Sequence, residues 1–144
     1  MADALRDSGL PARCLTIEVT ESAAVGGGAT QDTLRELRAL GVRLSLDDFG
    51  TGASTLSLLV NCPVDEIKLD RTFTPAPGPD AIAGAVLQLA RAMGIKAVAE
   101  GVETPEQAAK LSSLGYEHAQ GFHFARPMPA AELEKALHMV TVAP

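Results

Sequence analysis

Carboxylates in this chain gather where short apolar runs end. Glu18 and Glu21 stand at or just after one run, Asp47 and Asp48 at the next, Lys68 and Asp70 at a third, and Glu100 and Glu103 at a fourth, with the amide of Gln120 on a fifth. If those runs are parallel strands whose ends share one mouth, the acidic groups converge. Burying several carboxylates together without compensation costs several kcal/mol per ion, so such a cluster implies cations or solvent. Hard oxygen donors with no His or Cys beside them favour Mg²⁺ or Mn²⁺ over Zn²⁺.

Taken singly, each residue has a plainer reading. Glu18 reads as a solvent-facing strand residue, Asp47 and Asp48 as an Asx-type loop start before Gly50, and Lys68 as a surface lysine laying its stem along apolar atoms. Lys68 resists that reading, because it lies between Ile67 and Leu69 in a run expected to be buried on both faces. An ammonium there needs a carboxylate or a phosphate. His118, His123 and His138 form no helical i,i+4 pair and read as ordinary strand, loop and helix-surface residues. Cys14 and Cys62 have neither zinc-site nor disulfide spacing, and read as two reduced structural thiols.

The elements that must position these groups alternate between short β-branched runs and longer amphipathic segments, with Gly or Pro at the joins. The pattern predicts a first strand from Cys14 to Thr20. After Gly26-Gly27-Gly28 it predicts a helix from about Thr30 to Leu40, closed by Gly41 where a positive φ is tolerated. A second strand, Val42 to Asp48, leads into the Gly-rich loop Phe49 to Gly52 and a short helical stretch around Thr55 to Val60. The third strand is Val64 to Leu69. Pro75, Pro77 and Pro79 mark a loop ending at Asp80, the expected N-cap of a helix from Ala81 to Met93 stopped by Gly94. Ile95 to Glu100 is a fourth strand. Thr104-Pro105-Glu106-Gln107 then supplies an N-cap with Pro at N1 and Gln at N3, for a helix reaching about Leu114 and closed by Gly115. His118 to Phe124 is a fifth strand, and Pro127-Met128-Pro129 turns into a last helix from about Ala130 to Met139.

Strand centres fall roughly 22 to 30 residues apart, the length of a βα unit with a right-handed parallel crossover. Both a (β/α) barrel and a doubly wound sheet satisfy that spacing; polar groups at every strand end, meeting at one mouth, point to the barrel.

Composition removes other classes. At 144 residues the chain is about one average domain, and 47% hydrophobic against 21% charged residues is enough apolar material for a core. Twelve Lys and Arg against 18 Asp and Glu give a net charge of −6. That sign is wrong for holding DNA or RNA by a basic face, so a phosphate substrate would need metal ions. Aromatics at 3% leave few stacking platforms. No apolar run has the length of a membrane span and no leader pattern opens the chain, so the expected location is cytoplasmic.

Five stretches, LTIEVTES, LSLDDFGTGASTL, PVDEIKLDRTF, AVAEGVET and AQGFHFARPMP, resemble successive motifs of the EAL domain over about Leu10 to Leu133. The resemblance implies an α/β fold, a TIM-like barrel, and a metal-dependent phosphodiesterase that opens cyclic di-GMP to linear pGpG. Carried over by motif, Glu18 resembles a metal ligand, Asp47 the carboxylate bridging two metals, and Asp48 a holder of the second. Lys68 matches the lysine that contacts attacking water or phosphate. Glu100 matches the acidic residue proposed as base or metal-water partner, and Gln120 the substrate-side amide beside it. Glu21 and Glu103 resemble supports of the DDFGTG loop and its neighbours, and Asp70 a support of the lysine strand. Ala53 and Thr55 stand where the family often has Tyr and Ser.

The Glu-Ala-Leu strand and the following Asn strand, which supply further metal ligands in the family, would precede Leu10. The expectation is therefore an incomplete barrel of about five βα units spanning 1–144, with the N-terminal strands missing. It would hold its Mg²⁺ or Mn²⁺ pair through an incomplete site and turn over little by itself. Its partners would be cyclic di-GMP and either the missing half of the domain or a second copy. Two alternatives remain: a remnant that senses nucleotide or pairs with a protein without cutting, and a different barrel acting on another phosphate ester.

Overall fold

The structure, a computed structural model, describes residues 1–24, 28–51, 59, 62–74 and 80–141, and of 21, 22 and 138–141 the backbone alone. The Gly26-Gly27 turn, nearly all of the helical stretch around Thr55 to Val60, Ala53, the Pro75 to Pro79 loop and the side chain of His138 lie outside the described residues. In chain order the elements are α1 (Ala2–Ser8), a 3-10 turn (Ala12–Cys14), β1 (Thr16–Thr20), α2 (Glu21–Ala24), α3 (Gly28–Ala39), β2 (Arg43–Phe49) and β3 (Glu66–Leu69). A second 3-10 turn (Arg71–Phe73), α4 (Ala81–Met93), β4 (Lys96–Ala99), α5 (Pro105–Leu114), β5 (His118–Ala119) and α6 (Ala130–Thr141) complete them.

The strands form one parallel sheet in the order β1-β2-β3-β4-β5. Its registers give the two faces opposite characters. Ile17 pairs with Leu44, Val19 with Leu46, Leu46 with Ile67, Ile67 with Ala97, and Leu69 with Ala99, so these side chains share one face. Against it pack Leu34 of α3, Ala83, Val86, Leu87 and Ala90 of α4, and Leu111 of α5. The α4 set follows the i, i+3, i+4, i+7 stripe that one buried helix face requires. Leu44, Leu46, Ile67 and Leu69 are fully buried, each contributing roughly 1.5–3 kcal/mol of hydrophobic stabilisation. Glu18, Ser45, Glu66 and Lys68 occupy the other face, where the Ser45 hydroxyl donates to Glu66 Oε1 at 2.8 Å. Helices on one face and polar groups on the other are what a barrel segment needs and a doubly wound sheet does not. The fold is an open, incomplete part of an α/β barrel.

Local chemistry explains where elements stop. Gly94 and Gly115 take left-handed conformations at φ 69° and 97° and close α4 and α5. Thr104 and Gln107 form a reciprocal capping box at the start of α5. Three expectations are corrected. Cys14 lies in a 3-10 turn rather than in β1, because its amide bonds back to Pro11 O at 2.8 Å and that of Leu15 to Ala12 O at 3.0 Å. Asp80 flanks α4 without a side-chain cap, because its backbone at φ −80° and ψ 12° is not the extended geometry that aims a capping carboxylate at the first amides; its Oδ2 pairs with Lys110 Nζ at 2.5 Å. The fifth strand ends at Ala119 instead of Phe124, because the chain wraps around Val102: Val102 N donates to Gln120 O, and His123 N to Val102 O. No helix among the described residues is long and apolar enough to cross a membrane.

Candidate metal centre

Adjacent residues of a regular strand point to opposite faces, so Asp47 and Asp48 should diverge. They do not, because β2 carries an irregularity at that point. Leu46 pairs with Ile67 and Phe49 with Leu69, which sets an extra residue on β2 against β3. Asp48 absorbs it at φ 57°, a left-handed conformation in which Asp is tolerated better than most side chains, at a cost of about 1 kcal/mol. The bulge re-aims the pair, as bulges beside functional sites commonly do. One carboxylate oxygen each from Asp47, Asp48 and Glu100 then lie within 4.8 Å of one another.

Lys68 stands at the centre of the polar face with its side chain 6% exposed. Its Nζ is 2.9 Å from Glu18 Oε1, 3.2 Å from Asp47 Oδ1 and 2.5 Å from Glu100 Oε1. Burial alone would lower the lysine pKa, but hydrogen bonds to Glu100 and Glu18 outweigh it and hold the ammonium above its ordinary value. Glu100 moves upward as well. Burial is the main cause, Lys68 offsets part of it, and the negative charges of Asp47 and Glu18 add to it. Gln120 Nε2 donates to the same Glu100 Oε1 at 2.6 Å, leaving Oε2 outside both bonds.

One ammonium among Glu18, Asp47, Asp48 and Glu100 leaves three negative charges uncompensated. Asp47 Oδ1 is also shut off from solvent, and among the described residues Lys68 Nζ, at 3.2 Å in an ion pair, is the group that faces it. A divalent cation fits on both counts. The donors are all oxygens, matching Mg²⁺ or Mn²⁺ rather than Zn²⁺.

The structure therefore brings together Glu18, Asp47, Asp48, Lys68, Glu100 and Gln120. Within that group it sets Glu18 against Lys68 and Glu100 beside the two aspartates. Asp70 works one step away. Its Oδ1 accepts from the Thr72 amide at 2.9 Å and from the Thr72 hydroxyl at 2.5 Å, the latter being the main reason its pKa is lowered. Glu103 is exposed, and its amide donates to Gln107 Oε1 at 2.7 Å. Glu21 opens α2, and its side chain is outside the description. Both cysteines are free, Cys14 exposed and Cys62 in the core, where burial pushes the thiol pKa up.

Residue patterns alone missed one feature. A cavity of about 420 Å³ opens beside Glu100 and Gln120, lined also by Arg71, Phe122 and Arg126. The Arg126 guanidinium lies 4.7 Å from the Phe122 ring centroid. The available signal was cationic: Arg71 lies two residues past the end of the lysine strand and Arg126 lies in the segment after the fifth, in a chain of opposite net charge.

The EAL domain family model matches residues 1–127. Cyclic di-GMP phosphodiesterase NbdA of Pseudomonas aeruginosa is 47% identical over 139 residues, covering 93% of this chain and 18% of that protein. Among solved structures, the PaMucR phosphodiesterase in complex with c-di-GMP superposes with a TM-score of 0.84 at 43% identity, over 91% of this chain and 60% of that one. Klebsiella pneumoniae BlrP1, in a manganese and cyclic di-GMP complex at pH 9.0, gives 0.80 at 38% identity, over 88% and 33%. The chain thus spans under a fifth of the NbdA sequence, 60% of the PaMucR chain and a third of the BlrP1 chain.

Proposed function

The chain belongs to the EAL domain family, and on that premise we propose that it carries the C-terminal part of a phosphodiesterase site that hydrolyses cyclic di-GMP to pGpG with Mg²⁺ or Mn²⁺. The observation that carries this reading is the meeting of carboxylate oxygens from Asp47, Asp48 and Glu100 beside a buried lysine. Asp47, Asp48 and Glu100 would hold one cation, with Asp47 shared toward Glu18 for a second. When bound, such cations polarise the phosphodiester and lower the pKa of water.

The chain's own groups do the rest. Lys68 Nζ, already buried and charged, is placed to meet a phosphate oxygen once its carboxylates are engaged elsewhere. Gln120 and Lys68 fix Glu100 through Oε1 and so orient Oε2. So oriented, Glu100 would accept a hydrogen bond from the attacking water. The net charge of −6 repels an anionic substrate in the absence of cations, which ties substrate binding to metal loading. In this reading further ligands come from strands preceding Leu10, and 1–144 alone turns over slowly or not at all.

The test is chromatographic detection of pGpG from cyclic di-GMP with Mg²⁺, Mn²⁺ or Ca²⁺, using this chain and a form extended upstream to a whole domain. The extended form is expected to hydrolyse with Mg²⁺ or Mn²⁺ and to lose that activity with Asp47→Asn. Activity that survives both Asp47→Asn and Glu100→Gln would overturn the reading. So would an extended form that neither binds nor cleaves the nucleotide.

A further inference from the structure

The segment that follows Lys68 touches both walls of the carboxylate group. Asp70 caps the one-turn 3-10 helix Arg71–Phe73, whose closing bonds run from Phe73 N to Asp70 O at 3.0 Å and from Thr74 N to Arg71 O at 3.2 Å. Phe73 reaches toward the loop that carries Asp48. A Cβ on Gly50, which sits at φ 101°, would lie 2.9 Å from Phe73 Cε2, so backbone and ring are already in contact. The same loop is tied to Asp48, because the Thr51 amide and hydroxyl both donate to Asp48 O, at 3.2 and 2.9 Å. Thr74 reaches the opposite wall. It is buried, and its hydroxyl donates to the carbonyl of Glu100. Arg71 packs on the next residue, where a Cβ on Gly101 would lie 2.3 Å from its own Cβ.

We infer that the turn from Asp70 to Thr74 is a clamp that sets the spacing of Asp48 and Glu100, with Phe73 and Thr74 as positioning residues for cation binding. This rests on the proposed metal reading of that carboxylate group. Neither residue carries a group suited to the chemistry, and each acts through a neighbour: Phe73 through the Gly50 backbone, Thr74 through the Glu100 peptide. Because the turn is continuous with β3, it also fixes Lys68 relative to both walls.

The experiment compares Phe73→Ala, Phe73→Leu, Thr74→Val and Thr74→Ser with the wild-type chain in three measurements: Mn²⁺ affinity from the free-ion resonance signal, urea stability, and amide hydrogen exchange without metal. Phe73→Ala and Thr74→Val are expected to weaken Mn²⁺ binding about tenfold, the scale seen when outer-shell partners of a metal site are removed. Phe73→Leu and Thr74→Ser should recover most of it, which a merely structural loss would not do. Exchange should quicken around 48–51 in Phe73→Ala and around 100–102 in Thr74→Val, with β1 unchanged. Failure of both the wild-type chain and the form extended upstream to a whole domain to take up Mn²⁺ would defeat the metal reading, and the exchange pattern would then decide the clamp by itself. Wild-type affinity in Phe73→Ala and Thr74→Val, or unaltered exchange in both segments, would overturn the clamp.

Discussion

Replacing Lys68 by Met keeps the bulk of the stem and removes the one ammonium found among the four carboxylates. Loss of one partner from a buried ion pair destabilises by about 3–5 kcal/mol, because the other charge stays buried and uncompensated. Here Glu100 and Asp47 are largely buried, at 16% and 21% side-chain exposure, whereas Glu18 is 54% exposed and screened by solvent. The lower end of that range, about 3 kcal/mol, is the expected loss in chelator. Divalent cation changes the sign of the comparison. Lys68 occupies the region of negative charge that a cation would take, so its removal should tighten Mn²⁺ binding. A cation present at a hundred times its dissociation constant adds about 2.7 kcal/mol of stability. Urea denaturation of both forms, in chelator and across a Mn²⁺ series, reads the two effects separately. The variant should be less stable without metal and gain more from it than wild type, while failing to restore hydrolysis in an extended domain. Equal stability in chelator, or a smaller gain from Mn²⁺ in the variant, would refute the electrostatic account of this site.

Gly121→Ala should prevent proper folding or cost about 3 kcal/mol or more, since the new Cβ would lie 2.2 Å from the Val102 carbonyl oxygen and 2.3 Å from its nitrogen; the urea midpoint and soluble yield report it. Thr104→Ala removes the hydroxyl half of the capping box at α5, the Gln107 amide losing its acceptor while the residue 104 amide still donates to Gln107 Oε1, and the same midpoint should fall by about 1 kcal/mol with no change in Mn²⁺ affinity. Tyr116 is the one tyrosine of a chain without tryptophan, so phenolate absorbance reports a single residue. Burial raises its pKa from 10.0 to about 12, and its hydroxyl donates to Ala83 O at 2.8 Å. The folded state therefore holds this proton more tightly than the unfolded state: its contribution is complete below pH 10 and is lost between pH 10 and about 12. A titration midpoint near 10 in the native chain, equal to that in urea, would contradict the burial.

Signals carried by short stretches were legible in the sequence. Gly94 and Gly115 close their helices because a left-handed residue is needed there and glycine supplies it. Thr104 and Gln107 stand three residues apart and complete each other without help from the rest of the chain. Parity along β3 was legible too: with Ile67 and Leu69 on the apolar face, Lys68 must point to the other.

What escaped was decided by partners distant in the chain. Asp80 has the type and place of an N-cap, yet its backbone, at φ −80° and ψ 12°, lacks the extended geometry that aims a capping side chain at the first amides, and its Oδ2 goes to Lys110, thirty residues on. The last strand is shortened by a backbone, that of Val102, against which only a glycine fits at 121. The convergence of Asp47 with Asp48 depends on how β2 registers with β3, and two adjacent acidic letters say nothing of a bulge. The same limit hides Phe73 and Thr74, whose side chains announce no chemistry and matter only through what they touch. Residue types at strand ends thus identify which groups are available for chemistry. The spacing of those groups is set one layer out, by backbone irregularities and unremarkable side chains, and there substitutions should change metal affinity without altering any ligand.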